Sequence, residues 1–81
     1  MSDGAQIRRH SVTLQGHRTS ISLEDAFWGR LKLIAARQGL SINALVAKVD
    51  AERTGNLSSA LRVLAFKDAL QDASGNRSGF T

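Results

Sequence analysis

Polar and apolar positions alternate in two short stretches near the beginning of the chain. In Ser11-Val12-Thr13-Leu14, and again in Ser20-Ile21-Ser22-Leu23, the apolar side chains fall on one face and the hydroxyls on the other. Their β-branched content favours strands. Between them, Gln15-Gly16-His17-Arg18 holds a turn-permissive glycine. After Leu23 the period changes. Phe27, Trp28, Leu31, Ile34 and Ala35 share one helical stripe, opposite Asp25, Gly29, Lys32 and Ala36. Glu24 and Asp25 suit the positive end of a helix dipole, and Gly39 suits a left-handed C-terminal position, so a first helix is predicted over 24–38. Ser41 is the natural N-cap of a second helix, in which Ile42, Leu45, Val46 and Val49 form the buried stripe. It should run to about Arg53, where Thr54-Gly55-Asn56 breaks it. Ser58 or Ser59 can cap a third helix reaching about Leu70. That helix has two apolar sides, one with Leu57, Ala60, Leu61 and Leu64, the other with Val63, Phe66 and Leu70. The polar, Gly/Ser-rich stretch from Asp72 to Thr81 has no periodicity and is expected to be disordered.

Composition narrows what such a chain can do. Its 81 residues leave little room for an enclosed catalytic cleft, and a core this small favours association with a second copy. Lys and Arg number 11 against 7 Asp and Glu, a formal net charge of +4 that favours an anionic partner. The surplus is densest early: 4–23 contains no acid but holds Arg8, Arg9 and Arg18 with His10 and His17. Cysteine is absent, which excludes disulfides and thiolate metal sites. No apolar stretch is long enough to span a bilayer and no apolar leader segment precedes the first strand, so a cytoplasmic location is expected. The expected organisation is a flexible basic arm over 1–9, a folded domain over 10–71 and a disordered tail over 72–81.

Enzymatic chemistry finds no support. His10 and His17 lack the further ligands a zinc site needs, and the default for each is an exposed loop histidine. No serine lies in a nucleophile elbow, no Gly-rich phosphate loop occurs, and Glu24 and Asp25 diverge on a helix. No metal or cofactor is expected. Trp28 is expected in the core or at its rim, and Asn56-Leu57-Ser58 reads as a turn and cap.

The order from Arg18 to about Arg53 resembles a ribbon-helix-helix protein of the Arc and MetJ type. A strand (Arg18-Thr19-Ser20-Ile21-Ser22-Leu23) leads directly into an amphipathic helix, which ends in Gly39-Leu40-Ser41-Ile42-Asn43, similar to the family's Gly-x-Ser-x-Asn turn. The wider pattern, with Gly16-His17-Arg18-Thr19-Ser20, Phe27-Trp28 and Asn56-Leu57-Ser58-Ser59-Ala60-Leu61-Arg62, is similar to a group of small bacterial ribbon-helix-helix proteins. The resemblance implies a mainly α fold with a short β-ribbon and a third C-terminal helix. It also implies an intertwined homodimer whose ribbon pairs one strand from each chain. Ile21, Leu23, Phe27, Leu31, Ile34, Leu45 and Val49 would then form a shared core.

The implied function is a sequence-specific regulator of transcription, a repressor that inserts its ribbon into the major groove of double-stranded DNA. Arg18, Ser20 and Ser22 would contact bases. Ser41, Ile42 and Asn43 would grip a phosphate at a helix N-terminus, and Arg8 and Arg9 would reach neighbouring phosphates. The bland alternative is a solvated strand face and a solubilising terminus. The duplicated strand complicates this picture. If 10–14 pairs with 19–23 as a hairpin, the dimer carries four strands, about 14 Å across, too broad to enter the groove as a simple ribbon. The first segment is otherwise an arm, or it pairs beyond the ribbon. An alternative function is an antitoxin-like adaptor that binds a protein through the third helix and tail.

Overall fold

The computed structural model describes residues 5–78. Strands β1 (Ile7–Leu14) and β2 (His17–Glu24) form an antiparallel hairpin, followed by helices α1 (Asp25–Arg37), α2 (Ile42–Glu52) and α3 (Leu57–Ser78). The hairpin register runs from Ile7 opposite Glu24 to Leu14 opposite His17. Gln15 and Gly16 make the two-residue turn with φ of 53° and 82°. Positive φ at both positions is what a type I′ turn needs to match the twist of its strands. β2 therefore pairs with its own chain's β1, whereas the family resemblance implied pairing between two chains. A two-residue turn holds the first segment beside the second, so the local partner is met at little entropic cost.

Residues opposite one another in an antiparallel pair share a face. The inner face carries Val12, Ile21 and Leu23, all buried, and the partly buried Leu14. It packs against Trp28, Leu31, Ile34 and Ala35 of α1, Leu45 and Val46 of α2, and Leu61 and Ala65 of α3. Burying one side chain such as Leu31 or Leu61 contributes roughly 1.5–3 kcal/mol. Ile21, Leu23, Leu31, Ile34 and Leu45, the expected shared core, are thus buried within a single chain, with Phe27 and Val49 partly buried at its margin. The third helix explains this, because α3 packs on β2, α1 and α2 and covers what a bare ribbon-helix-helix chain leaves open. His10, on the inner face of β1, stacks on Trp28 with ring centroids 3.9 Å apart.

The helix ends follow local chemistry. Gly39 at φ 70° lets Leu40 N–H reach Ala35 O and Gly39 N–H reach Ala36 O, a Schellman closure of α1. Ser41 Oγ accepts from Ala44 N–H at 3.0 Å and caps α2. Asn56, not Ser58 or Ser59, caps α3: its Oδ1 accepts from Ser59 N–H at 3.1 Å. Ser58 instead donates to Ser22 O.

Two boundaries differ from expectation. β1 begins at Ile7, so Arg8 and Arg9 are strand residues, because the ladder to β2 continues to Glu24. α3 runs past Leu70 to Ser78. Arg30 holds Asp68 at 2.8 Å and Asp72 at 3.2 Å, pinning this part of the helix to α1. The rest of the expected arm (1–4) and tail (79–81) lies outside the described residues. Among the described residues no helix is long and apolar enough to cross a membrane.

Candidate nucleic-acid interface

The outer face of the hairpin is built by the register. Arg9 lies opposite Ser22, Ser11 opposite Ser20, and Thr13 opposite Arg18, and all six side chains are exposed. Arg18, Ser20 and Ser22 therefore stand together as the sequence suggests. Ser11 and Thr13 join them, a consequence of strand pairing that one segment alone cannot reveal. Arg8 lies on the opposite face, where its Nε donates to Asp25 at 2.9 Å.

Charge pairing separates the arginines of this face from those of the helices. Arg30 and Arg37 are held by Asp68, Arg53 by Asp50 and Arg62 by Glu24. Among the arginines whose side chains are described, Arg9 and Arg18 have no carboxylate partner. The hydrogen bond from Arg62 holds the Glu24 carboxyl below its ordinary range. At Asp68 burial pushes upward, but the hydrogen bonds from Arg37 and Arg30 outweigh it and leave the group lowered. Those acids are committed to stabilising the fold. The cations on the hairpin's outer face are not.

The start of α2 sits beside β1. Asn43 Oδ1 accepts from Thr13 N–H at 2.8 Å, and Asn43 Nδ2 donates to Thr13 O at 2.9 Å. The side chain thus satisfies the backbone of one residue on the outer edge of β1, as another strand would. Because Thr13 turns both groups away from β2, Thr13 and Arg18 form a non-hydrogen-bonded pair, and Ser11 with Ser20 is another. This bond places the N-terminus of α2 next to the ribbon. Ser41 Oγ occupies Ala44 N–H, and the first-turn amides of Ile42 and Asn43 precede any carbonyl four residues back in the helix. Such amides at the positive end of a helix suit an anion. The Asn43 side chain is committed to β1, so the phosphate contact expected at this residue falls to its backbone N–H.

His10 and His17 are far from forming a ligand set, and among the described residues no group of three or more His, Cys, Asp or Glu is placed to hold a metal. Burial against Trp28 is the main influence on His10 and lowers its pKa from 6.5, with Lys32 and Arg8 reinforcing this and Asp25 opposing it.

Comparison with known proteins agrees with this architecture. The family model described as "Ribbon-helix-helix domain" matches residues 7–69, and the chain belongs to that family. Proteins of the family generally bind DNA as regulators of transcription. A solved structure, that of an uncharacterized protein from Bordetella pertussis Tohama I, is similar at 29% identity with a TM-score of 0.77. The match covers 89% of this chain and 62% of that one, so this chain spans less than two thirds of its length. No curated protein matches the chain.

Proposed function

We propose that this protein is a sequence-specific DNA-binding regulator of transcription that acts as a homodimer in the cytoplasm and represses by occupying an operator. The observation that carries the reading is the outer face of the hairpin, where Arg9 and Arg18 stand among hydroxyl side chains without an ion pair among the described residues, its terminal acid Glu24 is held by Arg62, and Thr13 is tied to Asn43 at the start of α2. A two-stranded ribbon suits the major groove, about 12 Å wide. Here one chain supplies both strands, with backbones about 4.8 Å apart. The hairpin is therefore a complete ribbon, and no four-stranded sheet has to enter the groove. Arg18, Ser20 and Ser22 contact bases. The amides at Ser41, Ile42 and Asn43 hold a flanking phosphate. Arg8, with its side chain 56% exposed, supplements this at the rim. No bond is made or broken and no cofactor is required.

Titration of fluorescent duplex DNA with the full chain tests the reading. Affinity should fall steeply as salt rises, because phosphate neutralisation releases counterions. Absence of binding at low salt overturns it.

One observation favours a second reading. Val63, Phe66 and Leu70 remain 51%, 59% and 53% exposed on α3. An apolar stripe of this kind suits a protein partner, as an adaptor module of the same fold requires. Phe66→Asp separates the two. Loss of a bound protein with DNA affinity retained supports an adaptor role for this face. Deleting α3 is unsuitable, because Leu61 and Ala65 belong to the core.

A further inference from the structure

The two strands repeat one another. Residues 9–14 read Arg-His-Ser-Val-Thr-Leu, and residues 18–23 read Arg-Thr-Ser-Ile-Ser-Leu. An antiparallel strand pair has a local two-fold axis, normal to the sheet, between residues that face one another. The register places Ser11 opposite Ser20, so one such axis passes between them. Rotation about it carries Arg9 onto Arg18, Ser11 onto Ser20 and Thr13 onto Ser22. On the inner face it carries Val12 onto Ile21 and Leu14 onto Leu23. Sequence repeat and strand register are separate facts, and they meet on the middle residue of each outward triad.

We propose that the hairpin of a single chain is a pseudo-symmetric reading head for an inverted-repeat DNA sequence, in which Arg9 and Arg18 each recognise a guanine on opposite strands. The proposal rests on the DNA-binding reading above and deepens it. It also moves Arg9 from phosphate to base. Sequence position alone put Arg9 in a flexible arm with Arg8, whereas the register sets the two on opposite faces of the hairpin and gives Arg9 the same face as Arg18.

Chemistry and dimensions support the assignment. Arginine donates two parallel hydrogen bonds to O6 and N7 of guanine, the commonest specific contact in the major groove. Among the described residues neither guanidinium group has a carboxylate partner, so binding breaks no ion pair there. The residues between them, Ser11 and Ser20, are short and let the ribbon approach the base edges. Arg9 lies opposite Ser22, four positions from Arg18 along β2. That is about 13 Å along the strand, or roughly four base steps at about 3.4 Å of rise each. Because the axis reverses strand direction, it relates the two guanines as partners on complementary strands.

Selection from a randomised duplex pool with the full chain tests the proposal, using wild type, Arg9→Ala, Arg18→Ala, both Lys replacements and Arg8→Ala. Wild type should enrich an inverted repeat with one guanine on each strand about four base steps apart. Arg9→Ala should lose the guanine preference at one position and Arg18→Ala at its symmetry mate, each by about 5- to 150-fold against the wrong base. Arg9→Lys and Arg18→Lys should keep affinity for random DNA yet lose the same preferences, because an ammonium cannot make the planar bidentate contact. Arg8→Ala should leave both preferences intact. If Arg9→Ala weakens all sequences evenly and the enriched site is unchanged, Arg9 is a phosphate contact and the proposal fails while DNA binding stands. An enriched site without inverted symmetry also overturns it. No binding to any duplex instead removes the underlying function.

Discussion

The hairpin's outer face and the α1–α3 contact are both rich in arginine, and they use it in opposite ways. Between the helices, Arg30 and Arg37 converge on Asp68, and Arg30 also reaches Asp72. On the hairpin, Arg9 and Arg18 stand among hydroxyl side chains, and among the described residues no acid holds them. The helices join to one another and close a core over Leu61 and Ala65. The hairpin buries Val12, Ile21 and Leu23 on one side and leaves the other side to solvent. Paired charge supports the fold, whereas unpaired charge on a rigid strand is available to a ligand. One small chain separates the two tasks by face.

The sharpest way to break the contrast is through the core beneath α3. Leu61→Ala should cost about 2–5 kcal/mol, measured by denaturant unfolding, because Leu61 is fully buried between α3 and the rest of the chain. A cost below about 1 kcal/mol would mean that α3 does not close this core. Asn43→Ala comes next. It removes both bonds to Thr13 and should cost about 1–2 kcal/mol. Hydrogen exchange at Thr13 N–H should accelerate more than at amides inside the β1–β2 ladder, and equal protection in the variant would show that another group holds this edge.

Asp68→Asn probes the paired side of the comparison. Its arginine partners are 23% and 50% exposed, so the loss should be modest, up to about 1 kcal/mol. DNA affinity should change less than in Arg18→Ala. A drop as large as that caused by Arg18→Ala would place the helical pair in the binding face. Acid titration sharpens the same point. The Asp68 and Glu24 carboxyls are held below 3.8 and 4.5, so their stabilisation is present above those values and is lost as pH falls through the lowered folded values.

His10 gives the smallest expected effect. Its folded pKa is lowered from 6.5, so the unfolded chain binds a proton first and stability declines as pH falls below 6.5. His10→Phe keeps a ring on Trp28 and should flatten stability between that value and the range where the carboxylates titrate. An unchanged slope would assign the decline to another group.

Much of the fold was legible from short-range pattern. The stripe of α1, the cap at Ser41 and the glycine that ends α1 are decided within a few residues, because helical hydrogen bonds and caps join near neighbours. The alternation in both strand segments likewise identified Arg18, Ser20 and Ser22 as one face. The reach of α3 was less legible, since its continuation depends on Arg30 in another helix.

The sequence by itself determined which residues favour strand or helix, where apolar faces lie, and that positive charge gathers before Glu24. Only the tertiary structure decided which strand β2 takes as its partner, which arginines are cancelled by distant acids, and that Arg8 and Arg9 part to opposite faces. Periodicity is a property of one segment. Pairing and charge neutralisation are set by residues far apart in the chain, and several partners compatible with the same local pattern compete until packing selects among them.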